Sequence, residues 1–569
     1  MLHAGYSAKD LRADAIAGTI VGIVALPLSM ALAIATGVAP QHGLYTAIVG
    51  GLLIALLGGS RCQVSGPTAA FVAILLPLVQ RFGFGGLALA TTMAGVLLIA
   101  LGVLRLGRFV QFVPFPVVTG FTSGIAVTIA TAQLANFTGM TGVRAQVHWH
   151  EVLRELVRCA DTIDPWDLGV GLFALLLLLW LPRRLPRVPS PLVAVGLASV
   201  AAALLEAAGL ADITTIADKF SWTAADGGVH GGIPPWPPTF HWPWDWPGPG
   251  GEVLQLDYDV IKQLAVGAVT ICMLGAIESL LSAVVADGMT GTRHDPDAEL
   301  LAQGIGNLVA PFFGGFAATG AIARTATNIK AGARSPLAAV VHALFLLASV
   351  LALAPLLGHM PMAALAALLL TVAWRMADVR HVVHMLRTAP RADVGVMAAC
   401  FSLTVAFDMV VGVAAGMVLA SLLFLRRISE LTGARLLGNG HPELRTPIPP
   451  GVQVYEIDGP LFFGAAQRAV NALHTAGRDA RVVVLDLDGV PMVDATGLVN
   501  LQSALSRLRQ LHSRVVLTGV RDNVRQKMAR AGITSDDAQV YERPTLDAGV
   551  RLAAELVANH AGNAPASPL

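Results

Sequence analysis

The chain is predicted to be a polytopic α-helical membrane protein that ends in a small soluble α/β domain. Three observations carry the prediction. Of 569 residues, 55% are hydrophobic and only 13% charged, with a mean hydropathy of +0.66. Soluble globular domains carry about 25% charged residues. Apolar runs of membrane-spanning length recur as far as Arg427, and beyond about residue 450 the pattern changes to alternating strands and helices.

A span needs about 20 apolar residues, fewer where protein covers it. Such runs fall at about 13–36, 43–58, 65–80, 86–105, 114–136, 167–181 and 190–209. After a long interruption they resume at about 260–286, 300–313, 320–332, 335–357, 361–376, 392–408 and 409–427, roughly seven plus seven. Several are short or broken by Gly and Pro, the mark of discontinuous helices. The run at 13–35 is too long for a signal-peptide core and has no clear cleavage site, so it reads as a retained first helix.

Charge in the connections orients the chain. With both ends cytoplasmic, the inside loops carry Arg61, Arg105 with Arg108, Arg183 with Arg184 and Arg187, Lys330 with Arg334, Arg375 with Arg380, and Arg426 with Arg427. Most outside connections are short and nearly free of Lys and Arg; the long ones, about 137–166 and 210–259, are mixed or acidic. Proline density in PPWPPTFHWPWDWPGPG forbids a helix there, and Trp236, Trp242, Trp244 and Trp246 suit a membrane-surface belt. A net charge of +1 gives no basic field for nucleic acid. Cys62, Cys159, Cys272 and Cys400 are scattered packing residues without ligand spacing. No histidine has metal-ligand spacing with another ligand, so no metal or cofactor is expected. No P-loop occurs, so an ATP-driven pump has no support and a secondary transporter or channel, not an enzyme, does.

Three stretches concentrate the unusual chemistry. In LPLSMALAIATGVAPQHGLY (26–45), Pro27 is expected to break the first helix about halfway, Gly37 and Pro40 to end it, and Gly43 to let the next begin. In GGSRCQVSGPTAAFVAILLP (58–77), Cys62, Gln63 and Val64 read as extended, and Gly66-Pro67 as the start of a helix. In GGFAATGAIARTATNIKAGAR (314–334), extended residues again precede a Gly-started helix, which carries Arg324 in an apolar neighbourhood. Two half-helices whose N-termini meet at mid-membrane attract an anion through their free amides and dipoles.

Glu278, in MLGAIESLLSAVVADGMTG, is a second charge inside an apolar run. Such a carboxylate is a functional-site hypothesis by default. Arg324 is its expected partner, Ser282 lies one helical turn further on, and the expected role of Glu278 is proton coupling. The TGTRHDPDAE loop with Asp287 is expected to be solvated cytoplasmic charge; Asp408 is ambiguous.

In the soluble part, VQVYEID, RVVVLDLDGV and RVVLTGV read as strands, and DATGLVNLQSALSRLRQLH, DNVRQKMARAG and LDAGVRLAAELVAN as helices. The expected domains are 1–430 in the membrane, a linker at 431–449, an α/β domain at 450–560 and a tail at 561–569.

Read in order, LPLSMALA, GLYTA, GGSRCQVSGPTAAF, VADGMTGTRHDPDAELLAQGIGN and GGFAATGAIARTATNI resemble the sulfate permease (SulP) family of anion transporters along nearly the whole chain. The resemblance implies fourteen segments in two inverted seven-segment repeats, a core and a gate, a C-terminal cytoplasmic STAS domain, and homodimers working by elevator-type alternating access. Carried over residue by residue, it implies an anion site between Gly66, Pro67, Thr68 and Ala69 and Gly320, Ala321, Ile322, Ala323 and Arg324, walled by Leu28 and Leu32. Glu278 stands where sodium-coupled bicarbonate members carry an aspartate, and Ser282 where they carry a threonine. That departure favours protons over sodium.

The PLxMALAI, LGAIESLL and AIAR stretches are most similar to a bacterial dicarboxylate-uptake member, which implies succinate or fumarate as substrate in a bacterial inner membrane. Bicarbonate or sulfate transport, by symport or exchange, and an uncoupled anion channel are the alternatives. Asp494, Ala495, Thr496 and Gly497 match the STAS loop that in anti-sigma-factor antagonists holds a phosphorylated hydroxyl, with Thr496 at that position. A plain helix cap is the other reading of the loop. A protein partner for the STAS domain is implied alongside the small anion and lipid.

Overall fold

Among the described residues, ten helical spans are long and apolar enough to cross a membrane. The computed structural model describes residues 6–108, 113–144, 146, 148–185, 188–224, 226–431, 433–439, 441–462, 480–534 and 539–561. Arg187, one of the expected inside charges, and 562–569 of the expected tail lie outside them. The chain forms two compact units, Met1–Val418 and Leu419–Leu569, with the boundary inside one helix.

The first unit opens with α1 (Ala8–Thr36), started by a Ser7–Asp10 capping box and ended by Gly37 in a left-handed conformation. Pro27 does not break it: the helix runs through as one element. A proline removes a single backbone donor, and here it lies in a fully covered stretch, so packing on both sides holds the helix together. The next span starts at Pro40 rather than Gly43: α2 (Pro40–Tyr45), a π turn (Thr46–Gly50) and α3 (Gly51–Leu57). A two-residue strand β1 (Ser65–Gly66) leads into α4 (Ala69–Val103), where Gly83 at φ 66° joins two helical halves. Then come α5 (Phe115–Phe137), the amphipathic α6 (Trp149–Arg158), α7 (Pro165–Arg184) and α8 (Ser190–Ala207).

The 208–257 connection holds a short helix α9 (Ile216–Lys219), a hairpin of β2 (Ser221–Thr223) and β3 (Val229–Gly231), and the Trp-Pro stretch. Trp246 Nε1 donates to the Pro311 carbonyl at 2.9 Å and the Tyr45 hydroxyl to that of Trp236 at 3.2 Å, while Trp242 and Trp244 stay exposed. The second half comprises α10 (Tyr258–Thr290), α11 (Pro296–Val309), β4 (Thr319–Gly320), α12 (Ile322–Lys330), α13 (Leu337–Gly358), α14 (Met362–Ala377), α15 (Val379–Thr388), α16 (Arg391–Ala406) and α17 (Met409–Leu431).

These helices sort into two sets. In the first, α11 and α10 pack on α4, α13 on α1, and α12 on α10; in the second, α14 packs on α5 and α7, α16 on α5, and α8 on α7. Close approach in the first set is built on small residues: a side chain at Gly95 or Gly304 would run into the facing backbone of α11 or α4, at 2.5 and 2.6 Å.

Among the described residues, the second unit holds a five-stranded sheet. β5 (Gly433–Leu436) lies antiparallel to β6 (Val452–Asp458), and β7 (Val482–Asp486), β8 (Arg514–Thr518) and β9 (Val540–Arg543) follow in parallel order. Part of the stretch expected to be linker is thus an edge strand. Helices α18 (Ala495–Gln510) and α19 (Asp522–Arg530) bury Leu501, Leu505, Val524 and Met528 against one face, and α20 (Leu546–Ala561) buries Leu546 and Val550 against the other.

Candidate functional site

Two extended stubs cross inside the first helix set. β1 and β4 pair antiparallel, Ser65 opposite Gly320 and Gly66 opposite Thr319, and the Ala321 amide donates to the Val64 carbonyl at 2.9 Å. Each stub turns directly into a helix, α4 from Ala69 with Thr68 at its cap and α12 from Ile322 with Ala321 at its cap. The extended part is therefore Ser65 and Gly66 rather than the three residues before them, and the helix begins at Ala69. Neither N-terminus has a side-chain cap, so the first-turn amides of both remain free for an anion.

Arg324 lies in the first turn of α12 with 3% of its surface exposed. Its Nη2 donates to the Pro67 carbonyl, while Nη1 is buried without a protein partner. Only glycine fits beside it: Gly66 sits at φ 152°, and a Cβ there would stand 2.6 Å from Nη1. The neighbouring Ile322 and Ala323 are exposed, so the first turn of α12 opens its apolar side while its cation turns inward.

Glu278 comes from α10 and accepts from the Thr68 hydroxyl at 2.7 Å. It forms no direct ion pair with Arg324. Instead the two charges hold adjacent residues of one turn, Arg324 the carbonyl of Pro67 and Glu278 the side chain of Thr68. Contact is thereby replaced by a shared polar turn that each can act on. Ser282 is fully buried and meets Thr325 Oγ1 at 3.1 Å, and Thr325 accepts from the Val64 amide at 3.1 Å. Ser282 thus pins α12 and the first stub rather than touching Glu278. Leu32 is buried and Leu28 partly so on α1, which packs against both α4 and α12.

A second buried acid was hidden in the sequence. Glu299, expected as solvated loop charge, is 1% exposed on α11. It is solvated by protein instead: Oε1 accepts from Gln63 Nε2 (2.8 Å), Ser279 Oγ (2.8 Å) and Gln303 Nε2 (3.2 Å), and Oε2 from the Gly59 amide (3.1 Å). An ionised carboxylate accepts at both oxygens and donates nothing, so this donor set fits the charged form. Ser279 adjoins Glu278, and Gln303 also reaches Ser65 Oγ at 3.3 Å, so the network ties the first stub to the helix of Glu278. The signal was available: Glu299, Gln303 and Asn307 recur every four residues and line one face of α11. On the same connection, Asp287 meets His294 Nδ1 at 2.7 Å.

In the second unit, Asp494 caps α18 by accepting from the Gly497 amide at 2.7 Å. The Thr496 hydroxyl is left exposed beside that N-terminus, outside the cap. Asp408 likewise serves as a cap, accepting from the Val411 amide at 2.9 Å.

Residues 11–400 match the sulfate permease family and residues 443–543 the STAS domain. The chain belongs to the sulfate permease family. As a member it is a multi-pass membrane anion transporter with a C-terminal STAS domain. YvdB of Bacillus subtilis (strain 168) is 38% identical over 530 residues, covering 93% of this chain and 95% of YvdB. The bicarbonate transporter BicA of Picosynechococcus is 28% identical over 545 residues, covering 92% and 91%. In fold, the murine Slc26a9 anion transporter in its inward-facing state superimposes with a TM-score of 0.81 at 18% identity, over 96% of this chain and 92% of that one.

Proposed function

We propose that this family member is a proton-coupled importer of a dicarboxylate such as succinate or fumarate, working by elevator-type alternating access in a bacterial inner membrane. One observation carries the reading: two uncapped helix N-termini, a buried Arg324 with an unpartnered Nη1, and Glu278 all converge on the turn at Pro67 and Thr68. The amides and the guanidinium attract an anion. Ionised Glu278 opposes that anion and occupies the Thr68 hydroxyl. Protonation removes the opposing charge and frees the hydroxyl to donate to substrate, so proton and anion bind together. The first helix set, residues 1–430 supplying both sets, moves as the core against the second as the gate. The thin packing between the sets supports that division.

Both termini are placed in the cytoplasm, the transporter works as a homodimer, and the STAS domain, with Thr496 as its candidate phosphorylation site, meets a cytoplasmic partner. Bicarbonate and sulfate are the alternative substrates, bicarbonate being what BicA carries by name. Uptake of labelled succinate, bicarbonate and sulfate into proteoliposomes, each under an imposed proton or sodium gradient, tests the reading. Proton-driven succinate accumulation is expected; uptake driven by sodium alone would overturn the role of Glu278.

A further inference from the structure

A cavity of about 370 Å³ runs along α4 from Val72, in its first turn, to Phe82, in the seam between the two helix sets. Leu76 on α4 and Thr270 on α10 form one wall, and Ile129 on α5 and Val405 on α16 the other. None of Leu28, Leu32, Glu278 or the residues of the two stubs lines it. Gln146, His148, Thr128, Thr270 and Thr404 also line the cavity. Two charged groups and an amide sit toward one end: Arg81 near the end of the first half of α4, Gln263 on the first turns of α10, and Asp408 ahead of α17. All three are on the side of the membrane domain that carries the long 208–257 connection. The Gln263 Oε1 is buried there without a partner. The lip is apolar and open: Val266 is 63% exposed, Phe407 57% and Val410 42%.

We infer that this seam is a binding slot for a single bilayer phospholipid with a zwitterionic aminoalcohol headgroup. The apolar lip faces the hydrocarbon, so an acyl chain enters sideways from the bilayer without crossing water. The volume lies in the range of roughly 300–1,000 Å³ typical of small-molecule sites. At the charged end, the Arg81 guanidinium matches a phosphate and the Asp408 carboxylate an ammonium, a pairing that a headgroup without an amine satisfies only by half. Gln263 Oε1 supplies a further acceptor for the amine. Because the walls belong to both helix sets, a bound lipid touches both partners of any sliding between them. The slot itself stands on geometry alone; its effect on turnover rests on the transport reading.

The test is native mass spectrometry of the full chain released from liposomes of phosphatidylethanolamine and phosphatidylglycerol, beside uptake measured in the same liposomes. One phosphatidylethanolamine is expected to stay bound in preference to phosphatidylglycerol. Arg81→Gln and Asp408→Asn should each lower its occupancy about tenfold, the scale of one charge-assisted hydrogen bond, and Leu76→Trp should abolish it by filling the slot. If Leu76→Trp does not reach the membrane, Leu76→Phe serves as the smaller filling. Equal retention of both lipids, or retention undiminished in the filled variant, overturns the proposal. Bound lipid in a protein that moves no anion would leave the slot standing and remove the transport reading; uptake with an empty slot would do the reverse.

Discussion

Replacing Glu299 by Gln separates the roles of the two buried acids. The substitution keeps shape and removes one negative charge, but it turns one acceptor oxygen into a donor amide. If the new amide takes the Oε1 position it faces Gln63, Ser279 and Gln303; if it takes the Oε2 position it faces the Gly59 amide, which cannot rotate away. Each opposed or orphaned buried donor costs about 1–3 kcal/mol. Relief is available on one side, since Gln63 Oε1 and Gln303 Oε1 are both buried without partners and a flipped side chain would present one of them. The expected loss is therefore about 2–4 kcal/mol of stability. Thermal unfolding of the detergent-solubilised protein, followed by size-exclusion fluorescence, should show a clear drop in midpoint. The pH profile of residual transport should not move. A variant as stable as the parent with a displaced pH profile would mean that Glu299, not Glu278, carries the proton.

Three further outcomes follow from the same geometry. Gly66→Ala places a Cβ against Arg324 Nη1 at a φ that L-residues avoid, a strain of about 1–3 kcal/mol; substrate affinity in a binding titration should fall about tenfold with the fold retained. In the STAS domain, burial raises the affinity of Asp486 for its proton, with the neighbouring Asp488 and Glu443 charges adding to the effect and the Thr518 hydroxyl bond opposing it. The folded acid then holds its proton to higher pH than the unfolded one, so stability falls as pH rises across that interval. Asp486→Asn should abolish this slope and slow hydrogen exchange of β7 and β8 at neutral pH. Thr496→Glu, adding charge to an exposed helix N-terminus already capped by Asp494, should leave unfolding of the second unit unchanged while altering capture of any partner that reads phosphorylation.

Much of the site was legible because it is written in residues that break rules. Gly and Pro inside apolar runs marked both stubs, and Glu278 and Arg324 stood out as charges with no cheap place in lipid. What the chain order did not disclose was which atoms meet. Glu278 and Arg324 lie on helices separated by a full span and a connection, and they grip neighbouring residues of a third segment instead of each other. Glu299 was read as loop charge because Asp295 and Asp297 stand just ahead of it. Its burial depends on Gln63, more than two hundred residues away in sequence. Pro27 misled for a different reason: local rules weigh the lost backbone bond, whereas tertiary packing around α1 outweighs it. In the STAS domain, alternating strands and helices were read directly from apolar periodicity, and the two missed strands, β5 and β9, are short edge strands with one partner each.

The most direct test of the central claim is uptake by Glu278→Gln protein in proteoliposomes under an inward proton gradient, with labelled succinate outside. The account predicts that the parent concentrates succinate as the gradient is applied, whereas the variant only equilibrates it and shows no dependence on pH. Accumulation by the variant equal to that of the parent would contradict the claim that Glu278 couples protons to the anion.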